Sequence, residues 1–315
     1  MQDTDVRTRG ARATARAPRA RTGRRLRQAL IPYVWIGPAT LLIAVVVLWP
    51  VVEMIRTSLE KISSSGVTLG SNGTTNYSDL FDEGDLVHVV VRTLLWVAGV
   101  VIVTMVVSLA LAQLLNAKFP GRRVVRWAVI VPWAASVLMT ALVWKWMLDN
   151  YFGVVNEVLL DLHVLHKPVN WLAHPDQAML WMMWVAVFVS LPFASFVILA
   201  GLQTIPGEVY EAARVDGSGT FRTYFRITLP MLRPALLIAA IINVINVFNS
   251  FPIIWAMTQG GPGHATDTTT TFMYKIAFFD QNVGESAAMS VVNFALVLVM
   301  VLLYLRASRW REEVR

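Results

Sequence analysis

Residues 204–233 read Thr-Ile-Pro-Gly-Glu-Val-Tyr-Glu-Ala-Ala-Arg-Val-Asp-Gly-Ser-Gly-Thr-Phe-Arg-Thr-Tyr-Phe-Arg-Ile-Thr-Leu-Pro-Met-Leu-Arg. Physically this is a short helix, a glycine break and a second short helix. Pro206 suits a first helical turn, and Glu208 and Glu211 favour the positive end of the helix dipole. Gly217 and Gly219 are expected to stop the first helix, because glycine accepts the left-handed cap conformation. In the second helix Phe221, Tyr224 and Phe225 share one face while Arg222 and Arg226 share another, and Pro230 is expected to end it. This polar, basic segment stands between two long apolar runs, 178–203 and 234–257.

Those runs are two of six. The chain has 315 residues, 56% of them apolar and only 15% charged, with a mean hydropathy of +0.56. Soluble domains run at about 45–50% apolar and about 25% charged, so the composition excludes intrinsic disorder and points to a polytopic membrane protein. A bilayer core about 30 Å thick needs about 20 apolar helical residues to cross it. Spans are drawn near 31–55, 87–115, 124–147, 178–203, 234–257 and 284–305. Lipid offers no partners to backbone polar groups, so these are helices. The absence of cysteine excludes disulfides, thiolate metal sites and cysteine nucleophiles.

The basic residues alternate along the chain. The tail before the first span (residues 1–28, read as a disordered, leaflet-facing segment) holds nine arginines, and the segments at 116–126, 204–233 and after residue 305 hold four cations each. Together these carry 21 of the 27 lysines and arginines. The positive-inside rule then places both termini and the 204–233 segment in the cytoplasm. The net charge of +7 reflects membrane topology, and no nucleic-acid partner is implied. The permease region is drawn as 29–306, with a short cytoplasmic tail at 307–315.

Within 204–233, Glu211-Ala212-Ala213, Asp216-Gly217 and Phe225-x-x-x-Leu229-Pro230 stand at a characteristic spacing, led by Ile205-Pro206. This string resembles the EAA loop of permease subunits of binding-protein-dependent ABC importers. The resemblance implies an all-α membrane protein of the type I (MetI-like) permease fold with six transmembrane helices. It implies that the helix from about Gly207 to Asp216 docks into a separate ATP-hydrolysing subunit. Glu211, Ala212, Ala213, Asp216 and Gly217 are the expected coupling residues: Gly217 for the bend, the two alanines for close approach, and Asp216 for a local cap or pair.

Beyond the fifth span, Thr258-Gln259-Gly260-Gly261-Pro262 forms a turn signal. It lacks the Lys-Ser/Thr that a phosphate-cradling loop requires. At this distance from an EAA loop it resembles the first permease of carbohydrate importers, the maltose-type and glycerol-3-phosphate-type families. Implied partners are a second permease, an ATPase dimer, an extracytoplasmic solute-binding protein and the bilayer. The implied location is the bacterial cell membrane. ATP and Mg belong to the partner ATPase, since no Gly-x-x-x-x-Gly-Lys-Ser/Thr stretch occurs here, and no cofactor is expected on this chain.

No span core carries an ionisable side chain, which disfavours an ion-coupled secondary transporter and favours an uncharged solute. The fifth span is the most polar. Asn243, Asn246 and Ser250 stand three, four and seven apart and share a face. Two readings stay open, interhelical glue and a lining for the solute path. By resemblance to maltose-type permeases, Asn243 and Ser250 match sugar-facing positions, Trp133 matches an aromatic there, and Ser190-x-Pro192-Phe193 matches a polar-aromatic stretch. The function read from the sequence is a translocation subunit for a di- or oligosaccharide, with glycerol 3-phosphate or a polyol as the alternative. The five histidines are scattered and suggest no metal set.

Overall fold

The computed structural model describes residues 35–309. The basic tail read at 1–28 lies outside them, as do residues 310–315 of the closing tail. The chain divides into two compact units, Met1–Glu53 and Met54–Arg315. Among the described residues four helices are long and apolar enough to cross a membrane: α1 (Trp35–Ser58), α3 (Leu86–Asn116), α7 (Pro175–Gln203) and α13 (Val283–Arg309).

α1 contains a π turn at Ala44–Leu48, in which the Trp49 N–H reaches the carbonyl of Ala44. The turn falls just before Pro50, which has no N–H to donate and whose ring crowds the carbonyl four residues back. Widening the helix by one residue absorbs that ring.

Between α1 and α3 lie a two-stranded antiparallel hairpin, β1 (Glu60–Ile62) with β2 (Thr68–Ser71), and the short α2 (Thr75–Asp82). The sequence showed only a connecting loop here. Asn76 orders it, donating from Nδ2 to the carbonyls of Ser58 at 2.9 Å and Glu60 at 3.0 Å.

The centre of the second unit is the packed pair α3 and α7. Trp96, Val100, Met182, Val185, Val247, Phe248 and Ile254 form one core cluster, and Leu115, Ile198, Leu202, Ile205 and Leu232 form another nearer the 204–233 segment. Gly201 lets α7 approach the following span closely, since a Cβ there would meet that of Ala235 at 2.5 Å.

The third and fifth spans are not single helices. The third is α4 (Arg122–Ala134) followed by α5 (Val137–Met147), bent by 98° at Ala135–Ser136, where both residues are extended. Pro132 within the last turn of α4 removes one ladder donor at the bend. After α6 (Val154–Asp161) and α7 come the two loop helices, α8 (Gly207–Val215) and α9 (Thr220–Met231). The fifth span begins as α10 (Arg233–Phe248), bent 64° from α9. Its 16 residues reach about 24 Å. The helix stops at Asn249–Ser250 and resumes as α11 (Phe251–Met257). Lys145 Nζ holds α11 from the side, donating to the carbonyl of Ala256 at 3.0 Å near its negative end. α12 (Thr269–Phe278) then leads to α13.

Candidate functional site

Both helix breaks open onto one cavity of about 370 Å³. Irregular backbone at membrane depth is tolerated where it lines a cavity, because the freed backbone groups need polar surroundings. Trp133 and Ala135 reach the cavity from the first break. Ser190 and Phe193 stand one turn apart on α7, beside the buried Pro192. Asn243 and Asn246 come from α10, and Asn249 and Ser250 from the second break. All six residues singled out in the sequence as a solute path (Trp133, Ser190, Phe193, Asn243, Asn246 and Ser250) thus line a single space.

Asn249 was not among them. On an uninterrupted helix it would point away from the Asn243 face, but the chain leaves helical geometry at Asn249 (φ −86°, ψ 25°). The signal available in the sequence was Pro252, which sits in the first turn of α11.

The polar atoms of the cavity differ in how they are used. Asn249 Nδ2 donates back to the carbonyl of Ile245 at 2.9 Å, and Ser250 Oγ lies 3.4 Å from the carbonyl of Asn246. Asn243 is 2% exposed, and neither its Nδ2 nor its Oδ1 has a partner among the described residues. A buried, unsatisfied amide costs about 1–3 kcal/mol. Among the described residues no titratable side chain lines the cavity.

The 204–233 segment is a helix, a tight turn and a second helix. α8 ends in a Schellman motif: Gly217 has φ +72°, its N–H reaches the carbonyl of Arg214 at 3.0 Å, and the Ser218 N–H reaches that of Ala213 at 2.9 Å. Gly219 departs from expectation, since its φ of −67° is ordinary and it opens α9 rather than closing α8. Pro206 precedes the first helical residue, Gly207. Pro230 does not end the second helix. A π turn at Tyr224–Thr228, with the Leu229 N–H on the carbonyl of Tyr224, absorbs its ring as in α1, and the helix runs to Met231.

Along α8, Glu211, Ala212 and Asp216 are exposed, and Val215 is 88% exposed. Ala213 is buried at 4% within this chain. A larger side chain there would disturb the fold first, so Ala212 and Val215 present the free apolar surface of α8. The Asp216 carboxylate has no hydrogen bond among the described residues, and the cap is made by backbone alone.

Residues 104–312 match the family model described as "Binding-protein-dependent transport system inner membrane component". The chain belongs to that family. It is a membrane transport component, an ABC permease subunit of the inner membrane. A probable ABC transporter permease protein of Brucella suis is 38% identical over 90% of this chain and 98% of its own length. The trehalose/maltose transport system permease protein MalF of Thermococcus litoralis is 32% identical over 91% and 96%. A chain from the crystal structure of a bacterial ABC transporter that imports the acidic polysaccharide alginate shares the fold. Its TM-score is 0.78 at 20% identity, covering 92% of this chain and 98% of that one.

In this permease the Gly-Gly-Pro turn is a polar knot. Thr258 Oγ1 and Thr266 Oγ1 lie 2.8 Å apart, and Thr266 Oγ1 also donates to the carbonyl of Gly261 at 2.9 Å. The Asp267 side chain is fully buried, with Lys275 Nζ and His264 Nδ1 each 2.7 Å from its Oδ2. Arg92 on α3 donates to the carbonyl of His264 at 2.7 Å, fastening the knot to the central helix pair. Gly260, at φ +78°, lies against the other oxygen of that carboxylate, leaving no room for a Cβ. Asp267→Ala is expected to lower the stability of the purified protein by about 3 kcal/mol, because it leaves Lys275 poorly paired. Thermal unfolding of the two proteins side by side checks this, and equal midpoints would show that the knot contributes nothing.

Proposed function

We propose that this chain is one of two non-identical translocation subunits of an ATP-driven importer for a neutral di- or oligosaccharide. The carrying observation is the cavity at the two helix breaks, lined by three amides (Asn243, Asn246, Asn249), two hydroxyls (Ser190, Ser250) and two aromatic rings (Trp133, Phe193). Amides and hydroxyls offer the paired donors and acceptors that sugar hydroxyls need, and aromatic faces stack on sugar rings. The MalF relative, named for trehalose and maltose, supports the same solute class.

In this reading the termini and the 204–233 segment face the cytoplasm. α8 docks on an ATPase dimer through Glu211, Ala212, Asp216 and the bend at Gly217, with Ala213 seating the helix on its own chain. Closure of the ATPase pair on ATP moves the spans between inward-open and outward-open states, a two-state element biased by another chain. ATP and Mg stay on that partner, this chain catalyses no reaction and holds no cofactor, and a solute-binding protein delivers the sugar. A phosphorylated solute such as glycerol 3-phosphate calls for cationic contacts, and the cavity lining supplies none.

Gentle purification of the tagged protein from native membranes, followed by mass spectrometry, tests the assembly. An ATPase and a second EAA-bearing permease are expected to accompany it. Recovery of the intact chain alone, from cells that still take up the solute, would overturn the reading.

A further inference from the structure

A second cavity, of about 250 Å³, lies where the end of α3 meets the two loop helices. Every residue that lines it carries a polar group. Arg214 enters from α8, Gln113 from α3, and the hydroxyls of Ser218, Thr220, Tyr224 and Thr228 from the turn and α9. Among the described residues no carboxylate lines it, so Arg214 gives the space a positive charge. The Arg214 guanidinium has no hydrogen bond or ion pair among the described residues, and Gln113 Nε2 is buried without a partner. Tyr224 opens the π turn of α9 and Thr228 closes it, and both line the space.

This polar space does not stand alone. A groove of about 540 Å³ adjoins it, sharing Gln113, Thr220 and Tyr224 and otherwise apolar, with Leu109 from α3 and Phe225 from α9 among its walls. Phe225 is 58% exposed. One positively charged, hydroxyl-rich compartment opening onto one apolar furrow, at the end of a membrane helix, matches an amphiphile with an anionic head. We propose that this is a binding site for an anionic phospholipid. The guanidinium of Arg214 and the surrounding hydroxyls hold the phosphate, and an acyl chain lies along the furrow. The head group would then touch α3, α8 and α9 together. If the coupling assignment above is right, lipid occupancy stiffens the joint through which the ATPase acts. Binding itself does not depend on that assignment.

Lipid retention by the full-length protein tests the site directly. Native mass spectrometry after exchange into phosphatidylglycerol or phosphatidylcholine should show phosphatidylglycerol retained preferentially. Arg214→Gln should weaken that retention by about tenfold or more, the worth of a charge-assisted contact. Phe225→Ser should weaken retention of the lipid while leaving any binding of soluble glycerol phosphate unchanged. Equal retention of both lipids, or of phosphatidylglycerol by Arg214→Gln, would overturn the proposal. Glycerol phosphate binding as tightly as the lipid, with Phe225→Ser silent, would also overturn it and reassign the pocket to a small soluble anion.

Discussion

Gly217→Pro should abolish solute uptake while the chain still inserts and accumulates in the membrane. The turn after α8 needs φ +72° at this residue, and a proline ring holds φ near −65°. The substitution also deletes the N–H that closes on the carbonyl of Arg214 at 3.0 Å, so the Schellman turn is lost and α8 is redirected against α9. Among the described residues nothing lies within 4 Å of where a Cβ at Gly217 would stand, so the defect is one of backbone direction and not of packing. Gly217→Asn gives the control. Asparagine enters the left-handed region at modest cost, so uptake should be largely retained. Transport assays in cells expressing equal amounts of each variant settle the matter. Normal uptake by Gly217→Pro would remove the coupling role from this turn, and failure of both variants would show that glycine is needed for contact with a partner instead.

A bulky residue at Ala213 is a poorer probe of the same surface. That side chain is 4% exposed and packs within the chain, so added bulk would disturb the segment before it reported on docking. The exposed Ala212 and Val215 are the residues at which added bulk would meet a partner directly.

Much of the membrane architecture was legible because α3, α7 and α13 are continuous and apolar along their length, and composition alone marks such segments. The third and fifth spans were legible as spans but not as broken ones. A hydropathy window averages over a bend, and the bends depend on local dihedrals at Ala135–Ser136 and Asn249–Ser250 that neighbouring elements stabilise, such as the hold of Lys145 on α11. Helical spacing therefore found Asn243, Asn246 and Ser250 but missed Asn249. Trp133, Ser190 and Phe193 came from family resemblance, since no periodicity links Trp133 on α4 to Ser190 and Phe193 on α7. The glycine cap at Gly217 could be read from residue type, because only the left-handed position demands it. Pro230 could not, because a π turn hid its usual consequence.

Asn243→Leu should reduce uptake of the native solute by about tenfold or more without destabilising the protein. The two side chains share the same branched skeleton of four heavy atoms, and the bulkier leucine methyls have the adjoining cavity to extend into, so the packing of α10 on its neighbours is kept. Among the described residues the Asn243 amide has no partner for either polar atom, so its removal forfeits no hydrogen bond there. Replacing an unsatisfied buried amide by an apolar group relieves a penalty of about 1–3 kcal/mol, and the thermal midpoint should hold or rise. A solute contact of that same size, once lost, corresponds to about tenfold to hundredfold in rate or affinity. The two measurements together separate the two readings of the polar stripe. Lower uptake with an unchanged or raised midpoint places the amide on the solute path. A lowered midpoint, with the second permease lost on purification, would mean that Asn243 bonds across the subunit boundary, and the stripe would then be glue.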